Sequence, residues 1–459
     1  LDMMEIKVAD VLKAVGGKLL SGGADQIFHG VSIDSRKIKQ GDLFVALPGE
    51  KTDGHLFVDA AFNLGASGAL ISKINNYTGD SLLIQVTDTL KALQDLARFH
   101  RLKHQVQVIG VTGSNGKTTT KDMIAAVLQE KFSILKTAGN FNNEVGLPLT
   151  LLELDKTHQV AVLEMGMRGL GQIQQLVEIA RPTIGVITNI GQAHIELLGN
   201  REKIAQAKWE LILGLPTGGV AVLNGEDEYC RRLGDGFSGK KIFYGFQSDC
   251  DVRAFDIKVG DFSTSFQINC PIGNFFVQIP LPGEYNILNA LAAAVVGIET
   301  GMETKEISEG LAKLKLTAMR LERTLGTAGE VIINDTYNAN PDSMAASLQI
   351  LSNSTGKKKI AVLGDMFELG EYSELGHRQV GRVFAGLEID LLVTVGEQAR
   401  YIGMEALAAG FGGASVRHFA HKFEAVAFLT GEVSKGDIVL VKGSRGMAME
   451  QIVNGLKDR

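Results

Sequence analysis

Val106-Gln-Val-Ile-Gly-Val-Thr-Gly-Ser-Asn-Gly-Lys-Thr-Thr-Thr120 decides the fold class. Its first half is a short apolar run of strand length, and its second half is a glycine turn. Beyond it Met123, Ile124, Val127 and Leu128 recur at helical spacing. Strand, glycine loop, Lys-Thr and helix N-terminus in that order form a place for an anion. Backbone N–H groups of Gly113, Ser114, Asn115 and Gly116 can surround phosphate oxygens, and the helix dipole adds to their pull. Lys117 is then within reach of β- and γ-phosphates, and the Thr118 hydroxyl, with Thr119 beside it, is placed to meet Mg²⁺. The strict pattern G-x-x-x-x-G-K-[ST] is not met, because Val111 stands where its first glycine belongs. A glycine turn opening an ordinary helix is the alternative reading of the same residues.

Outward from this loop the chain alternates short apolar runs with helical patterns. Residues 160–163, 184–187, 220–223, 360–363, 391–395 and 438–441 are such runs, each ending near Gly, Asp, Asn, Glu or Lys. They read as buried parallel strands with functional groups at their carboxyl ends. A chain of 459 residues is too long for one core. Three α/β units are expected: residues 1–104, with shorter strand signals; 105–316, around the phosphate loop; and 317–459, with strands of its own. Glycine occurs 54 times without a period, above the usual share of about 7%, as expected of turns between apolar runs.

Composition narrows the function. A net charge of −6 and the lack of a dense Lys/Arg block argue against nucleic acid. Cys230, Cys250 and Cys270 have no zinc-site spacing and suit a reducing compartment. No run is long enough to span a bilayer. The chain opens Leu-Asp-Met-Met, so a native start at Met3 or Met4 and a cytoplasmic enzyme, monomeric and not inserted in membrane, are the expectations.

Some residues suggest chemistry by placement alone. Glu164 closes the run Val160-Ala-Val-Leu-Glu, where a carboxylate can face a nucleotide crevice and hold a hard cation; a solvated Glu at a strand end is the alternative. His194 follows Asn189 in a loop, where a lone His is more often incidental than a ligand. Lys208 is more telling. On a helix beginning after Asn200, Ile204, Ala205, Ala207, Trp209, Leu211 and Ile212 form one apolar arc, and Lys208 projects into its middle. Burial lowers the pKa of an amine and favours the neutral form, which reacts with CO₂.

Gly113-Ser-Asn-Gly-Lys-Thr-Thr resembles the phosphate loop of the Mur ligase family, and further motifs extend the resemblance along the chain. They are Ser32-Ile-Asp-Ser-Arg, Asp42-Leu-Phe-Val-Ala-Leu-Pro-Gly-Glu-Lys-Thr-Asp-Gly-His, Thr137-Ala-Gly-Asn-Phe-Asn-Asn-Glu-Val-Gly-Leu-Pro, Leu163-Glu-Met-Gly, Asn189-Ile-Gly-Gln-Ala-His, Ala207-Lys-Trp-Glu, Asn286-x-x-Asn289, Met319-Arg-Leu-Glu and Asp335-Thr-Tyr-Asn-Ala-Asn-Pro. The Asn-Phe-Asn-Asn-Glu and Tyr-Asn-Ala-Asn-Pro forms are similar to the member that adds D-alanyl-D-alanine.

The resemblance implies a UDP-sugar-binding α/β domain, a central P-loop ATPase domain with mainly parallel sheet, and a C-terminal Rossmann-like domain. It implies ATP, two Mg²⁺ ions and a CO₂-derived carbamate on Lys208. Thr118 and Glu164 would hold the first magnesium, and His194 and the carbamate the second, with Lys117 on the transferring phosphate. Asn286, Asn289, Arg320 and Asp335 would complete the ATP site. Asn286 could instead cap its helix, and Asp335 could simply end a strand. Tyr337, Asn338 and Asn340 fit the acceptor region, although Asn-Ala-Asn-Pro is also strong turn chemistry. Ser35 and Arg36 would lie at the UDP end, and Asn140, Asn142 and Asn143 nearer the sugar or peptide. The implied reaction is ATP-driven amide formation between UDP-N-acetylmuramoyl-tripeptide and D-alanyl-D-alanine through an acyl phosphate. A diamino-acid-adding ligase of the same family fits less well, because Gly364-Asp-Met-Phe-Glu-Leu-Gly stands where those carry a different signature. Folylpolyglutamate synthetases place the loop nearer the N-terminus. A nucleotide switch would not need a third unit or an inward lysine.

Overall fold

A computed structural model describes residues 5–49, 52–75, 77, 81–192 and 195–458. Met3, Met4 and His194, all of which the sequence singles out, lie outside the described residues.

The apolar runs become three separate sheets. The first has the strand order Lys18–Ser21, Leu82–Gln85, Gly68–Ile71, Asp42–Val45, Gly30–Ser32, and only its first pair is antiparallel. The helix Thr89–Leu102 leads out of this unit. Asp88 starts it by accepting from the N–H groups of Leu90 and Lys91, which satisfies donors a helix otherwise leaves bare.

The central sheet has nine strands. Ile134–Lys136, Val160–Glu164, Gln107–Thr112, Ile184–Ile187, Val220–Asn224, Lys240–Gly245 and Val252–Val259 run parallel as neighbours, then Thr264–Cys270 and Gly273–Ile279 turn back antiparallel. Gln107–Thr112 lies between strands that follow it on opposite sides, a point where connections diverge and leave a crevice at the strand ends. Thr112, Glu164 and Asn224 all close strands on that edge.

Helices cover both faces of this sheet. Glu284–Glu299 contains Ala290-Leu-Ala-Ala-Ala-Val-Val, fully buried. Its small side chains let it lie close against the helix Lys117–Leu128, and that packing carries Asn286 and Asn289 to the phosphate loop.

The third sheet orders Glu322–Leu325, Val331–Asp335, Ile438–Lys442, Lys359–Gly364, Leu391–Val395 and Val416–Phe419, parallel after the first pair. Its strand ends bring Asp335 and Lys442 together at the same crevice. Among the described residues no helix is long and apolar enough to cross a membrane.

Candidate functional site

The phosphate loop is shaped by what surrounds it. Gly116 has φ +79°, and a Cβ there would stand 2.6 Å from the Asn289 side-chain oxygen, so only glycine allows the loop to touch that asparagine. The Asn189 carbonyl accepts from Ser114 N–H at 2.9 Å, its side-chain oxygen accepts from Asn115 N–H at 2.9 Å, and Ser114 Oγ accepts from Gly191 N–H at 2.8 Å. Loop and neighbouring strand end therefore hold one another in place. Thr119 lies on the cleft wall beside them.

Lys117 Nζ donates to its own loop, at 2.7 Å to the Gly113 carbonyl and 3.2 Å to that of Ser114. Burial pushes its pKa down, and the Arg320 charge acts in the same direction against the opposing pull of Glu164. Thr118 Oγ1 donates to Glu164 Oε2 at 2.7 Å, and Asn142 Nδ2 donates to Glu164 Oε1 at 2.8 Å. The backbone N–H of Glu164 donates to Thr137 Oγ1 at 3.0 Å. A buried carboxylate and a hydroxyl thus meet beneath the loop, with the Asn142 amide N–H steadying the carboxylate, and the two oxygen groups are of the kind that suits Mg²⁺.

Lys208 is buried as the helical arc requires. The helix is Arg201–Leu213, started by Asn200, whose side chain accepts from Lys203 N–H at 2.9 Å. Only 2% of Lys208 is exposed, and among the described residues no hydrogen bond or ion pair takes its amine. Burial depresses its pKa well below the ordinary lysine value, the nearby Lys117 charge adds to this, and Cys230 opposes it. Among the described residues no group of three His, Cys, Asp or Glu gathers into a ready metal site.

A cleft of about 470 Å³ lies between the central and C-terminal sheets. Asn286, Asn289, Arg320, Asp335, Asn338 and Asn340 line it together with the phosphate loop. Asn289 accepts from Thr120 Oγ1 at 3.0 Å, and its Nδ2 donates to Asn286 Oδ1 at 3.3 Å. Asn286 in turn donates to the Pro282 carbonyl at 2.7 Å. The Arg320 guanidinium lies over the Tyr337 ring at 4.1 Å, and its Nε is buried with no hydrogen-bond partner among the described residues. An arginine held this way still has a donor to offer an anion.

Asp335 does end its strand, but it is also an ion-pair centre. Lys442 Nζ reaches its Oδ2 at 2.5 Å, and Ser347 Oγ donates to the same oxygen at 2.7 Å. Lys442 also donates to the Asn338 carbonyl at 3.1 Å. Asn340 combines both readings of Asn-Ala-Asn-Pro. Its side chain caps the helix Pro341–Asn353 through Ser343 N–H at 2.9 Å, and its Nδ2 crosses the domain boundary to Asn115 Oδ1 at 2.7 Å.

Other predicted positions lie apart from this cleft. Ser35 and Arg36 sit on the turn Ser35–Lys37 of the N-terminal unit, where exposed Arg36 is held by Asp34 at 2.9 Å. Asn140 is exposed, and Asn143 starts the helix Gly146–Leu152 by accepting from Gly146 N–H at 2.8 Å. Sequence reasoning missed Lys442, Tyr285, Asp227 and Thr188 in the cleft wall. Lys442 had a signal, a charge closing the apolar run Ile438–Val441; the others had none.

These elements match known proteins in order. The family description Mur ligase catalytic domain fits residues 27–101, Mur ligase middle domain fits 111–297, and Mur ligase glutamate ligase domain fits 319–445. The chain is 41% identical to UDP-N-acetylmuramoyl-tripeptide--D-alanyl-D-alanine ligase of Bacillus subtilis, over 99% of each chain. The chain belongs to the Mur ligase family. Among solved Mur ligases, MurF from Acinetobacter baumannii superposes with a TM-score of 0.91 at 33% identity, covering 100% of both chains. MurF of Thermotoga maritima in complex with ADP follows with a TM-score of 0.82 and 30% identity, over 94% of this chain and 97% of that one.

Proposed function

We propose that this Mur ligase joins D-alanyl-D-alanine to UDP-N-acetylmuramoyl-tripeptide at the expense of ATP, in the synthesis of peptidoglycan precursor. The observation that carries this reading is the interdomain cleft, which sets Lys117, Thr118 and Glu164 across from Arg320 and Asp335, in a chain alike throughout its length to a relative so named.

ATP fits with its phosphates on the loop 113–119, its base near Asn286 and Asn289, and its ribose toward Asp335. On arrival of the nucleotide, Lys117 exchanges the carbonyls of Gly113 and Ser114 for β/γ-oxygens. The terminal carboxylate of the tripeptide attacks the γ-phosphorus, the bond to the β-bridging oxygen breaks, and ADP leaves an acyl phosphate behind. Lys117 and Arg320 offset the charge carried by the transferring group. The dipeptide amine then attacks the acyl carbon, and inorganic phosphate departs. The Asn338 and Asn340 segment, with Tyr337, supplies the wall for that amine.

Mg²⁺ would be held by the Thr118 hydroxyl and the Glu164 carboxylate, and a second ion would be held by a carbamate on Lys208 together with His194, which lies outside the described residues. Such ions neutralise phosphate charge and align the oxygens involved. Burial lowers the pKa of the Lys208 amine and favours its neutral form, which would form the N–C bond to CO₂ while a C=O electron pair moves to oxygen and the amine proton passes to water. This turns an uncompensated buried base into an anion suited to a cation.

Phosphate release tests the function. With ATP, Mg²⁺ and bicarbonate, release should require both the tripeptide precursor and D-alanyl-D-alanine. Release with a diamino acid and the dipeptide precursor would move the chain to another Mur activity.

A further inference from the structure

The reaction described above gives no task to Asp122, one of several buried carboxylates outside it. Asp122 lies on the loop helix Lys117–Leu128, five residues beyond Lys117, and its side chain is fully shielded. An isolated buried carboxylate is costly, so its partners are informative. Oδ1 faces two ammonium groups, Lys121 at 3.2 Å and Lys136 at 3.0 Å. Oδ2 accepts twice from one residue, the N–H and the hydroxyl of Thr317, each at 2.8 Å.

Thr317 belongs to the segment that joins the central to the C-terminal domain. Immediately after it the backbone turns through two non-glycine residues with positive φ, Met319 at 63° and Leu321 at 49°. Such values cost energy for these side chains and persist where surrounding structure imposes them. Arg320 stands between the two. The far side of this bend is held as well, because Met319 N–H donates to Glu322 at 3.0 Å and the Met319 carbonyl accepts from Tyr337 N–H at 3.2 Å.

Lys121 extends the same cluster toward the metal corner. Its Nζ donates to the Thr137 carbonyl at 3.0 Å, and the Thr137 hydroxyl accepts from Glu164 N–H at 3.0 Å. A single buried network therefore touches the phosphate-loop helix, the strand end that carries Glu164 and the foot of the interdomain bend.

We infer that Asp122 is a positioning residue: it clamps Thr317 to the phosphate-loop helix and makes the loop the fixed point about which the bend, and with it Arg320, is set for phosphate. Two hydrogen bonds to one residue fix direction as well as distance. Burial alone would push the Asp122 carboxyl up, but Lys121, Lys136 and the two Thr317 hydrogen bonds together outweigh this and hold it below the ordinary range, so both acceptors stay available at neutral pH. Arg320 stands within the bend itself, whereas Asp335 and Lys442 are fixed in the C-terminal sheet, so slack at Thr317 misplaces Arg320 first. Nucleotide held mainly by the loop should bind as before; the step needing Arg320 should suffer.

This inference rests on the proposed ligase reading for its turnover assay. The test uses the full chain with Thr317→Val, Thr317→Ser, Asp122→Asn and the Asp122→Asn/Thr317→Val double variant. Turnover is followed by phosphate release, nucleotide affinity by calorimetry with adenylyl imidodiphosphate, and compaction by small-angle X-ray scattering with that analogue and tripeptide. Thr317→Val removes the hydroxyl's bond to Asp122 and its longer contact with Lys121 at 3.4 Å, and is expected to lower kcat about tenfold, with analogue affinity changed less than about twofold. Thr317→Ser should restore kcat, and the double variant should be no worse than the poorer single one. Ligand-induced compaction should weaken in Thr317→Val.

A Thr317→Ser chain as slow as Thr317→Val, additive losses, or a loss confined to nucleotide affinity would overturn the clamp. If Asp122→Asn does not fold, the Thr317 pair decides alone. If the wild-type chain releases no phosphate with these substrates, the ligase reading fails, and the compaction comparison still decides whether the clamp sets the bend.

Discussion

Two buried lysines from different domains teach different chemistry. Lys208 in the central domain is 2% exposed and Lys442 in the C-terminal domain 3%. Lys442 ends a strand and is paired with Asp335 at 2.5 Å, whereas Lys208 sits in an apolar helix face with no such partner among the described residues. Burial is the same, and the partner makes the difference. Lys442 is tied by its ion pair to Asp335 and organises its neighbours, while burial lowers the pKa of Lys208 and favours the neutral form that the proposed reaction with CO₂ requires.

The strongest way to break this comparison is Lys208→Met. Activity should fall by about 100-fold or more if the proposed carbamate holds a metal ion, because that group is lost. Stability by chemical denaturation should rise by about 1–3 kcal/mol, because an uncompensated amine is replaced by an apolar chain of similar length. Loss of activity together with loss of stability would mean that the lysine is structurally paired after all. Glu164→Gln should approach the same loss of turnover and respond to raised Mg²⁺, whereas Lys208→Met should not.

Lys442→Met should do the reverse. It leaves Asp335 buried and unpaired, and unfolding should become easier by roughly 2–4 kcal/mol, the lower part because the pair lines a cleft open to water. A melting temperature equal to wild type would remove Lys442 from its structural role.

The pH dependence separates the two lysines further. The folded pKa of Lys208 is depressed, so between that value and the ordinary lysine value the unfolded chain binds one proton more than the folded one. Stability then rises with pH across that window. In CO₂-free buffer the advantage of Lys208→Met over wild type should be greatest at the low end of the window and shrink as pH climbs. A constant difference would contradict a buried neutral amine. The smallest effect expected is that of Asn340→Ala, about 1 kcal/mol for a lost helix cap, with a modest rise in KM for ATP as the link to Asn115 goes.

Much of this was legible beforehand where a local pattern has one physical solution. Residues 184–187 and 391–395 are strands as read, and the run from Val160 extends to Glu164 itself. The Asn200 helix buries the very face that contains Lys208. The strands Thr264–Cys270 and Gly273–Ile279 were not read, since their alternating half-buried residues lack a continuous apolar run.

The sequence by itself determined the loop, its flanking strand and helix, and the inward lysine, because each depends on periodicities of a few residues. Only the tertiary structure decided that Asp335 meets Lys442, that Asn340 reaches Asn115 and that Asp122 holds Thr317. Those partners lie 107, 225 and 195 residues apart, and whether a buried charge finds a counter-charge at such separations depends on how sheets and helices stack, which no short pattern records.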